Sequence, residues 1–312
     1  MIKGKILVTG CTGLVGHGIC LTLINCGYEV WGTSRNSIKS KHPAFHYCHL
    51  DLDDDLSLQS IVAVLSEVDV IIHNAARIPS NQEQNSWDDY MKTNLESTRK
   101  LLKISSESGL KQFIFISGSP SALLDETFAS LEENTPYQAH NDYASSKAMA
   151  EILCTQFDFA REIDVCVFRF PAPYGYFGTS EAVLPSFLKK AKAGEPISLF
   201  GNGTRQQIFT FVEDIGRACI SAIETKSRGI YHISGPEVVT MKQLAETILR
   251  VFPETCSHII YVGDDPQENR KINISIEKVK SEMGFVPSFS LLDGLTRIVN
   301  FDDQTNIFNR EE

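Results

Sequence analysis

The segment VTGCTGLVGHG, Val8 to Gly18, sets glycines at 10, 13 and 16 between the apolar run Ile6-Leu7-Val8 and a helix-like stretch. Glycines at that spacing bring backbone closer to a ligand than a Cβ would allow. A strand that turns tightly into a helix also leaves amide N–H groups unpaired at the positive end of the helix dipole, which suits a pyrophosphate. Gly10 permits the tight turn, Gly13 the close approach of phosphate, and Gly16 the packing of helix on strand. A glycine triplet alone is equally well a turn, so its place between a first strand and a first helix gives the dinucleotide reading its weight.

The rest of the first half keeps the same rhythm. Short apolar runs at Lys5–Thr9, Glu29–Thr33, Val68–His73, Gln112–Ser117 and Val165–Phe170 suit buried parallel strands, and longer segments with helical spacing lie between them. Alternation of this kind predicts an α/β, Rossmann-type doubly wound parallel sheet with right-handed crossovers. From about Pro171 prolines and glycines punctuate shorter elements, as in RFPAPYGYFGTS and LFGNGTRQQIF. The expectation is a dinucleotide-binding domain over 1–170 and a smaller α/β substrate lobe over 171–312, with the chain free to cross back, packed over the carboxyl edge of the sheet where such folds bind ligands.

Bulk properties exclude several classes. A net charge of -10 gives no general excess of Lys and Arg with which to displace counterions from phosphates, so nucleic acid is not an expected partner. The eight cysteines (11, 20, 26, 48, 154, 166, 219 and 256) form no CxxC pair and lie in apolar segments, which reads as reduced core residues in a cytoplasmic protein with no metal site. The apolar run near the N-terminus is too short for a signal peptide, and no run reaches the roughly 18 residues that span a bilayer.

The end of the second strand bears on which dinucleotide is bound. A carboxylate about 20 residues after the glycine motif normally accepts from the adenosine ribose. Here YEVWGTSRNS holds Ser34 at that position, followed by Arg35. A carboxylate would repel a 2′-phosphate, whereas a hydroxyl and a guanidinium would pair with it, so NADP is expected ahead of NAD. Asp51 and Leu52, in HLDLDDD, are placed with the cofactor, Asp51 toward the adenine amino group; Asp53 to Asp55 read as a solvated helix start.

The catalytic candidates lie in YASSK, Tyr143 to Lys147, at the opening of the helical stretch YASSKAMAEILCTQF. The pair shares one helix face at i, i+4 and follows the strand-like run Gln112–Ser117, where a doubly wound sheet would present a residue to a nicotinamide. A phenol of pKa about 10 is a poor acid or base at neutral pH, and a nearby ammonium can lower it by roughly 1–3 units, making Tyr143 a usable proton shuttle. Lys147 can also hydrogen-bond the nicotinamide ribose.

Taken in order, VTGCTGLVG, HNAA at 73–76, TNLESTRKLL at 93–102, ENTPYQAHNDYASSKAMAE, RFPAPYG at 169–175, TFVEDIGRA at 210–218 and KVKSEMGFVPSFSLLDGL resemble the extended short-chain dehydrogenase/reductase family, the NAD(P)-dependent epimerase/dehydratase group that acts on nucleotide sugars. The resemblance covers nearly the whole chain. It implies that Thr12, Gly13, Leu14 and Val15 hold the pyrophosphate, that Ala75 and Ala76 line the cofactor channel, and that Pro171 flanks the nicotinamide. It also implies a homodimer through helices near 87–107 and 143–160.

Departures from the family's pattern narrow the expectation. The family sets a Ser or Thr hydroxyl just after the fifth strand; in FIFISGSPSAL that register holds Gly118, with Ser117 before it and Ser119 after. A one-residue shift assigns the substrate-orienting hydroxyl to Ser119 and leaves Ser117 with the cofactor. The Asp-Glu pair that serves the 4,6-dehydratases is replaced by Ser119-Pro120, which disfavours dehydration. Of the two arginines that grip a nucleotide diphosphate, Arg270 matches one, while Gln207 stands at the other with Arg205 two positions earlier, on the same face if the segment is a strand. Asn in the family's N-x-Y-G is Ala172. The reading that follows is NADPH-dependent reduction of a 4-keto nucleotide sugar, with three alternatives: a nucleotide-sugar epimerase with retained NAD, a reductase of a non-sugar carbonyl, and a non-catalytic dinucleotide-sensing protein.

Overall fold

In the computed structural model, which describes residues 2–80, 85–177, 182–302 and 306–310, the apolar runs form one parallel sheet. Its first half contains β1 (Lys5–Thr9), α1 (Leu14–Asn25), β2 (Glu29–Ser34), β3 (Ile38–Ser40), β4 (Phe45–His49), α2 (Asp55–Ser60), α3 (Val62–Leu65), β5 (Val70–His73), α4 (Trp87–Tyr90), a π-helical segment over Met91–Glu96, α5 (Ser97–Glu107), β6 (Gln112–Ile116), α6 (Pro120–Leu123), α7 (Asp142–Phe159) and β7 (Asp164–Arg169). The remainder comprises β8 (Pro173–Tyr174), α8 (Val183–Ala193), β9 (Ile197–Phe200), β10 (Gln206–Ile208), β11 (Thr210–Phe211), α9 (Val212–Thr225), β12 (Gly229–His232), β13 (Val238–Thr240), α10 (Met241–Val251), β14 (Ile259–Val262), α11 (Glu277–Met283), α12 (Leu291–Val299) and β15 (Phe308–Arg310).

The seven-stranded sheet runs in the order β12-β7-β6-β5-β1-β2-β4, and every pairing in it is parallel. From β1 the chain moves outward through β2 and β4, then returns to the other side of β1 for β5, β6, β7 and β12. The strand order therefore reverses between β1 and β5, and such a switch point opens a crevice at the carboxyl ends of those strands. Both faces of the sheet are covered, which is why its strands read as continuous apolar runs. Ile6 and Val8 of β1 and Ile114 and Ile116 of β6 enter one core with Ile19 and Leu23 of α1 and Ile215 and Cys219 of α9. Leu7, Phe113 and Phe115 point the other way, into a core with Leu58, Leu101, Leu102 and Cys154.

After β7 the chain leaves the sheet and comes back to it with α9 and β12, whose register sets Tyr231 opposite Phe168. The short pairs β10-β13, β11-β8 and β14-β9, together with α8, α10 and α12, close around Phe187, Phe211, Leu244 and Leu295. The segment 306–310 folds back across α1: β15 pairs antiparallel with β3, and Asn306 Oδ1 lies 3.1 Å from His17 Nε2. All eight cysteines are free, and no helix among the described residues is long and apolar enough to cross a membrane.

Candidate active site

The glycine turn opens the switch-point crevice. Gly10 has φ +68°, and a Cβ there would stand 2.9 Å from the Ala75 Cα; at Gly16 a Cβ would come within 2.1 Å of the Gly10 carbonyl oxygen. Any side chain at 10 or 16 would push the turn off the β5 exit or α1 off the turn. Gly13 is the residue that caps α1, no side chain caps that helix, and no acidic residue stands in its first turn. Its leading amides therefore face the crevice without an internal acceptor from a side chain, the arrangement expected for a bound anion.

Beneath the turn lies a buried polar relay that sequence reasoning missed. The amides of Asn74 and Ala75 both donate to Thr9 Oγ1, at 3.1 and 3.0 Å, so the Thr9 hydroxyl is left to donate to His73 Nδ1 at 2.8 Å. His73 Nε2 then donates to Thr98 Oγ1 at 3.0 Å, and Thr98 donates to the Asn94 carbonyl at 2.7 Å. Each group in this chain uses its one proton once, which fixes the histidine as the neutral Nε2–H tautomer. Burial holds its pKa down to about 3. The only trace in the sequence is a histidine closing an apolar strand, a pattern more often met in satisfied core residues.

The crevice has a volume of about 560 Å³. It brings together most of the residues singled out from the sequence: Gly10, Thr12, Gly13, Leu14 and Val15 at the turn; Ser34, Arg35, Asp51 and Leu52 at one end; Ala75, Ala76, Ser117, Tyr143 and Lys147 at the other. Gly16 packs behind the turn. Pro171 is not among the lining residues, and its neighbours Phe170 and Pro173 take that wall. Asp53 is not a solvated helix start. Its carboxylate accepts from Thr93 Oγ1 at 2.6 Å and pairs with Arg77 at 3.1 Å, and all three residues line the crevice. Asp54 instead caps α2, accepting from the amides of Leu56 and Ser57. Asn94, in the π-helical segment, clamps the backbone of Arg77, accepting from its amide and donating to its carbonyl. Mid-helix π segments are frequent at functional sites, and no spacing rule would have located this one.

Tyr143 and Lys147 do share a face of α7, yet the proton affinities differ from the sequence expectation. Burial, with Tyr90 alongside at 6.0 Å between ring centroids, pushes the Tyr143 phenol up to about 12. Burial also pulls Lys147 down to about 8. The ammonium does not lower the phenol because it is engaged elsewhere: Nζ donates to the Ile116 carbonyl at 2.9 Å and stands 4.1 Å over the Phe115 ring. Desolvation of both groups then outweighs any attraction between them.

The hydroxyls after β6 separate clearly. Ser119 precedes α6, half-buried, and is not brought to the crevice. Ser117 is 5% exposed, lines the crevice, and its Oγ has no hydrogen-bond partner. Arg205 and Arg270 meet around a separate hollow of about 190 Å³ with Gln207 and Met241. Each already has a carboxylate neighbour, Asp265 at 3.4 Å for Arg205 and Glu126 at 2.5 Å for Arg270.

The sequence profile of the NAD dependent epimerase/dehydratase family matches residues 6–234. This chain belongs to that family. It is accordingly an NAD(P)-dependent enzyme of the short-chain dehydrogenase/reductase type. Among its relatives is a dTDP-glucose 4,6-dehydratase of Streptomyces griseus, 25% identical over 94% of this chain and 92% of that protein. Another is a UDP-glucuronate 4-epimerase of Thermodesulfobacterium geofontis, 25% identical over 96% of this chain and 97% of its own length. Among solved structures, the UDP-glucuronic acid 4-epimerase of Bacillus cereus, in complex with UDP-glucuronic acid and NAD, superposes with a TM-score of 0.78 at 24% identity, covering 93% of this chain and 96% of that one.

Proposed function

We propose that the protein is a nucleotide-sugar epimerase that keeps its dinucleotide bound through turnover. The observation that carries this reading is that the Tyr143-Lys147 pair and the uncapped glycine turn line one crevice. The crevice fits a dinucleotide: Gly10 and Gly16 have no room for a Cβ, and α1 opens on it with no side-chain cap and no acidic residue in its first turn. Thr12 to Val15 are the residues to hold the pyrophosphate, Asp51 and Leu52 the adenine, and Ala75, Ala76 and Lys147 the nicotinamide half. Family members act as dehydratases and as epimerases. Ser119-Pro120 stands where the dehydratases carry an acid and a base, so epimerisation is favoured of the two. The sugar nucleotide is seated over the same crevice, with Arg205 and Arg270 reaching its phosphates in exchange for Asp265 and Glu126. The relative solved with NAD bound supports NAD as cofactor. The exposed Met149, Ile152 and Phe159 along α7 offer an apolar face to a second copy, which light scattering on the purified protein checks.

When bound, oxidised NAD supplies a hydride acceptor and a positive ring charge to the crevice. Without that charge Tyr143, at about 12, keeps its proton across the neutral range. Beside that charge the phenolate would be the accepting form, and Tyr143 would take the proton of the substrate hydroxyl as the carbonyl forms and return it to the same oxygen after the sugar has presented its other face. Lys147, half-titrated near 8, remains mostly cationic at neutral pH and holds its place on the Ile116 carbonyl.

A second reading, NADPH-dependent reduction of a 4-keto sugar, is favoured by one observation: Arg35 is exposed on the rim of the crevice beside Ser34, with no carboxylate partner among the described residues. One experiment separates them. Epimerisation predicts that denatured protein releases about one NAD per chain, and that Tyr143→Phe loses at least 10³-fold in turnover of UDP- or dTDP-hexoses while still carrying its NAD. Protein that purifies empty and consumes NADPH stoichiometrically belongs to the second reading.

A further inference from the structure

We propose that Ser117 supplies the hydroxyl that hydrogen-bonds the reacting oxygen of the substrate, one residue upstream of the register the family uses. The inference rests on the reading of the crevice as a nucleotide-sugar redox site. Ser117 directly follows β6, and its amide donates to the Phe168 carbonyl at 2.8 Å, so its position is tied to β7. Lys147 Nζ holds the carbonyl of the preceding residue, Ile116, and Tyr143 lies one helical turn before Lys147. Ser117, Tyr143 and Lys147 all line the crevice, brought there from the end of β6 and from α7.

Buried hydroxyls nearly always find a partner within the protein, so one left over at a ligand crevice marks where a ligand atom belongs. Ser105 and Ser121 also bury unpartnered hydroxyls, but neither lines the crevice. Gly118 has no hydroxyl to give, and its lack is not forced by crowding. A Cβ there would meet only the Leu123 side chain, at 3.5 to 3.7 Å, and its φ lies outside the left-handed region. Of the three serines just after β6, at 117, 119 and 121, Ser117 alone is both buried and a lining residue of the crevice.

The step balances without Ser117 changing protonation. With NAD bound, the C–H bond of the sugar carbinol would break as hydride to the nicotinamide, its O–H proton would pass to the Tyr143 phenolate, and C=O would form; the return would reverse each transfer. Throughout, the Ser117 O–H donates to that one oxygen, most strongly as its negative charge develops, and removing such a donor is expected to cost about 10²-fold or more in turnover.

The test compares Ser117→Ala, Ser119→Ala, Gly118→Ser and the double variant S117A/G118S in the full chain, with UDP-glucose, UDP-glucuronic acid and dTDP-glucose as probes. Ser117→Ala is expected to lose about 10²-fold in kcat with its Kd for NAD, measured by calorimetry, changed less than twofold. The double variant, which moves the hydroxyl into the family's register, regains at least tenfold. One readout needs no turnover: because the hydroxyl has no partner in the free protein, Ser117→Ala raises the ligand-free Tm by roughly 2 °C, where a serine satisfied by structural water would give a fall. Weakened NAD binding with kcat intact, greater damage from Ser119→Ala than from Ser117→Ala, or a lowered Tm would each overturn the proposal. An active Ser117→Ala beside a dead Tyr143→Phe sinks only the role of Ser117. An active Tyr143→Phe sinks the reading of the crevice and this inference with it.

Discussion

Ala172, between β7 and β8, has φ +26°, in a region that L side chains enter at a cost of roughly 1–2 kcal/mol. Its carbonyl accepts from the Thr210 amide at 3.2 Å, and Thr210 Oγ1 donates to the Pro171 carbonyl at 2.8 Å, so the strained backbone is held from the β11 side. Replacing it with glycine removes the strain but loosens the unfolded chain by about 0.4–1 kcal/mol. We expect Ala172→Gly to stabilise by about 0.5–1 kcal/mol and Ala172→Val to destabilise, read from urea midpoints; a less stable glycine variant would show the conformation to be unstrained. At this scale the sequence was legible wherever a residue's type is itself the constraint. Gly10 and Gly16 could be placed because the lack of a Cβ is a covalent fact. The choice between Ser117 and Ser119 could not, since β6 ends at Ile116 and a one-residue shift at a strand end changes which side chain faces the crevice. The acidity of Tyr143 was misread for a related reason: spacing shows that Lys147 is near, not that both groups are desolvated.

At the scale of elements, α7 carries Tyr143, Lys147 and Glu151 at successive i, i+4 positions. Glu151 is fully buried and receives Arg169 Nε at 2.9 Å and Nη2 at 2.7 Å, while Tyr137 donates to the same carboxylate at 2.9 Å. A pair of buried charges pins α7 to β7. Removing one member leaves the other buried and uncompensated, at a cost of about 3–5 kcal/mol, whereas apolar replacement of both is often nearly neutral. Glu151→Gln should therefore lose several kcal/mol in guanidinium unfolding, and the double change E151L/R169L less than either single leucine change; additive losses would refute the pairing. Neither residue could be matched to the other from the chain, because helix and strand spacings show which face a residue occupies but not what it meets there. The five bounded strand readings match β1, β2, β5, β6 and β7 to within two residues, whereas β12 of the same sheet was not anticipated. β3 and β15 were not anticipated, being too short to show a period.

For the molecule as a whole, acid is the revealing perturbation. Burial holds His73 and His232 near 3 in the folded state, against an ordinary value of 6.5. A folded value below the unfolded one means that the unfolded chain binds the extra proton between the two. The stability contributed by these histidines is thus fully present above pH 6.5 and is lost as the pH falls toward 3, by up to about 1.4 kcal/mol per pH unit for each. Most carboxylates titrate lower, so the loss between pH 6.5 and 5 is the histidines' signature. His232→Phe should flatten the dependence of unfolding free energy on pH in that window, and an unchanged slope would remove the histidine account. The sheet and its switch point were readable because period and order are properties of the chain, while the relay through His73 joins residues that only the folded sheet makes neighbours.

The contact between His17 and Asn306 spans 289 positions. As the polypeptide emerges from the ribosome, the flank of α1 and the free edge of β3 therefore stay wet and unprotected until residues 306–310 have followed. A nascent chain can wind β1 and α1 early, yet it cannot seal that side before β15 arrives.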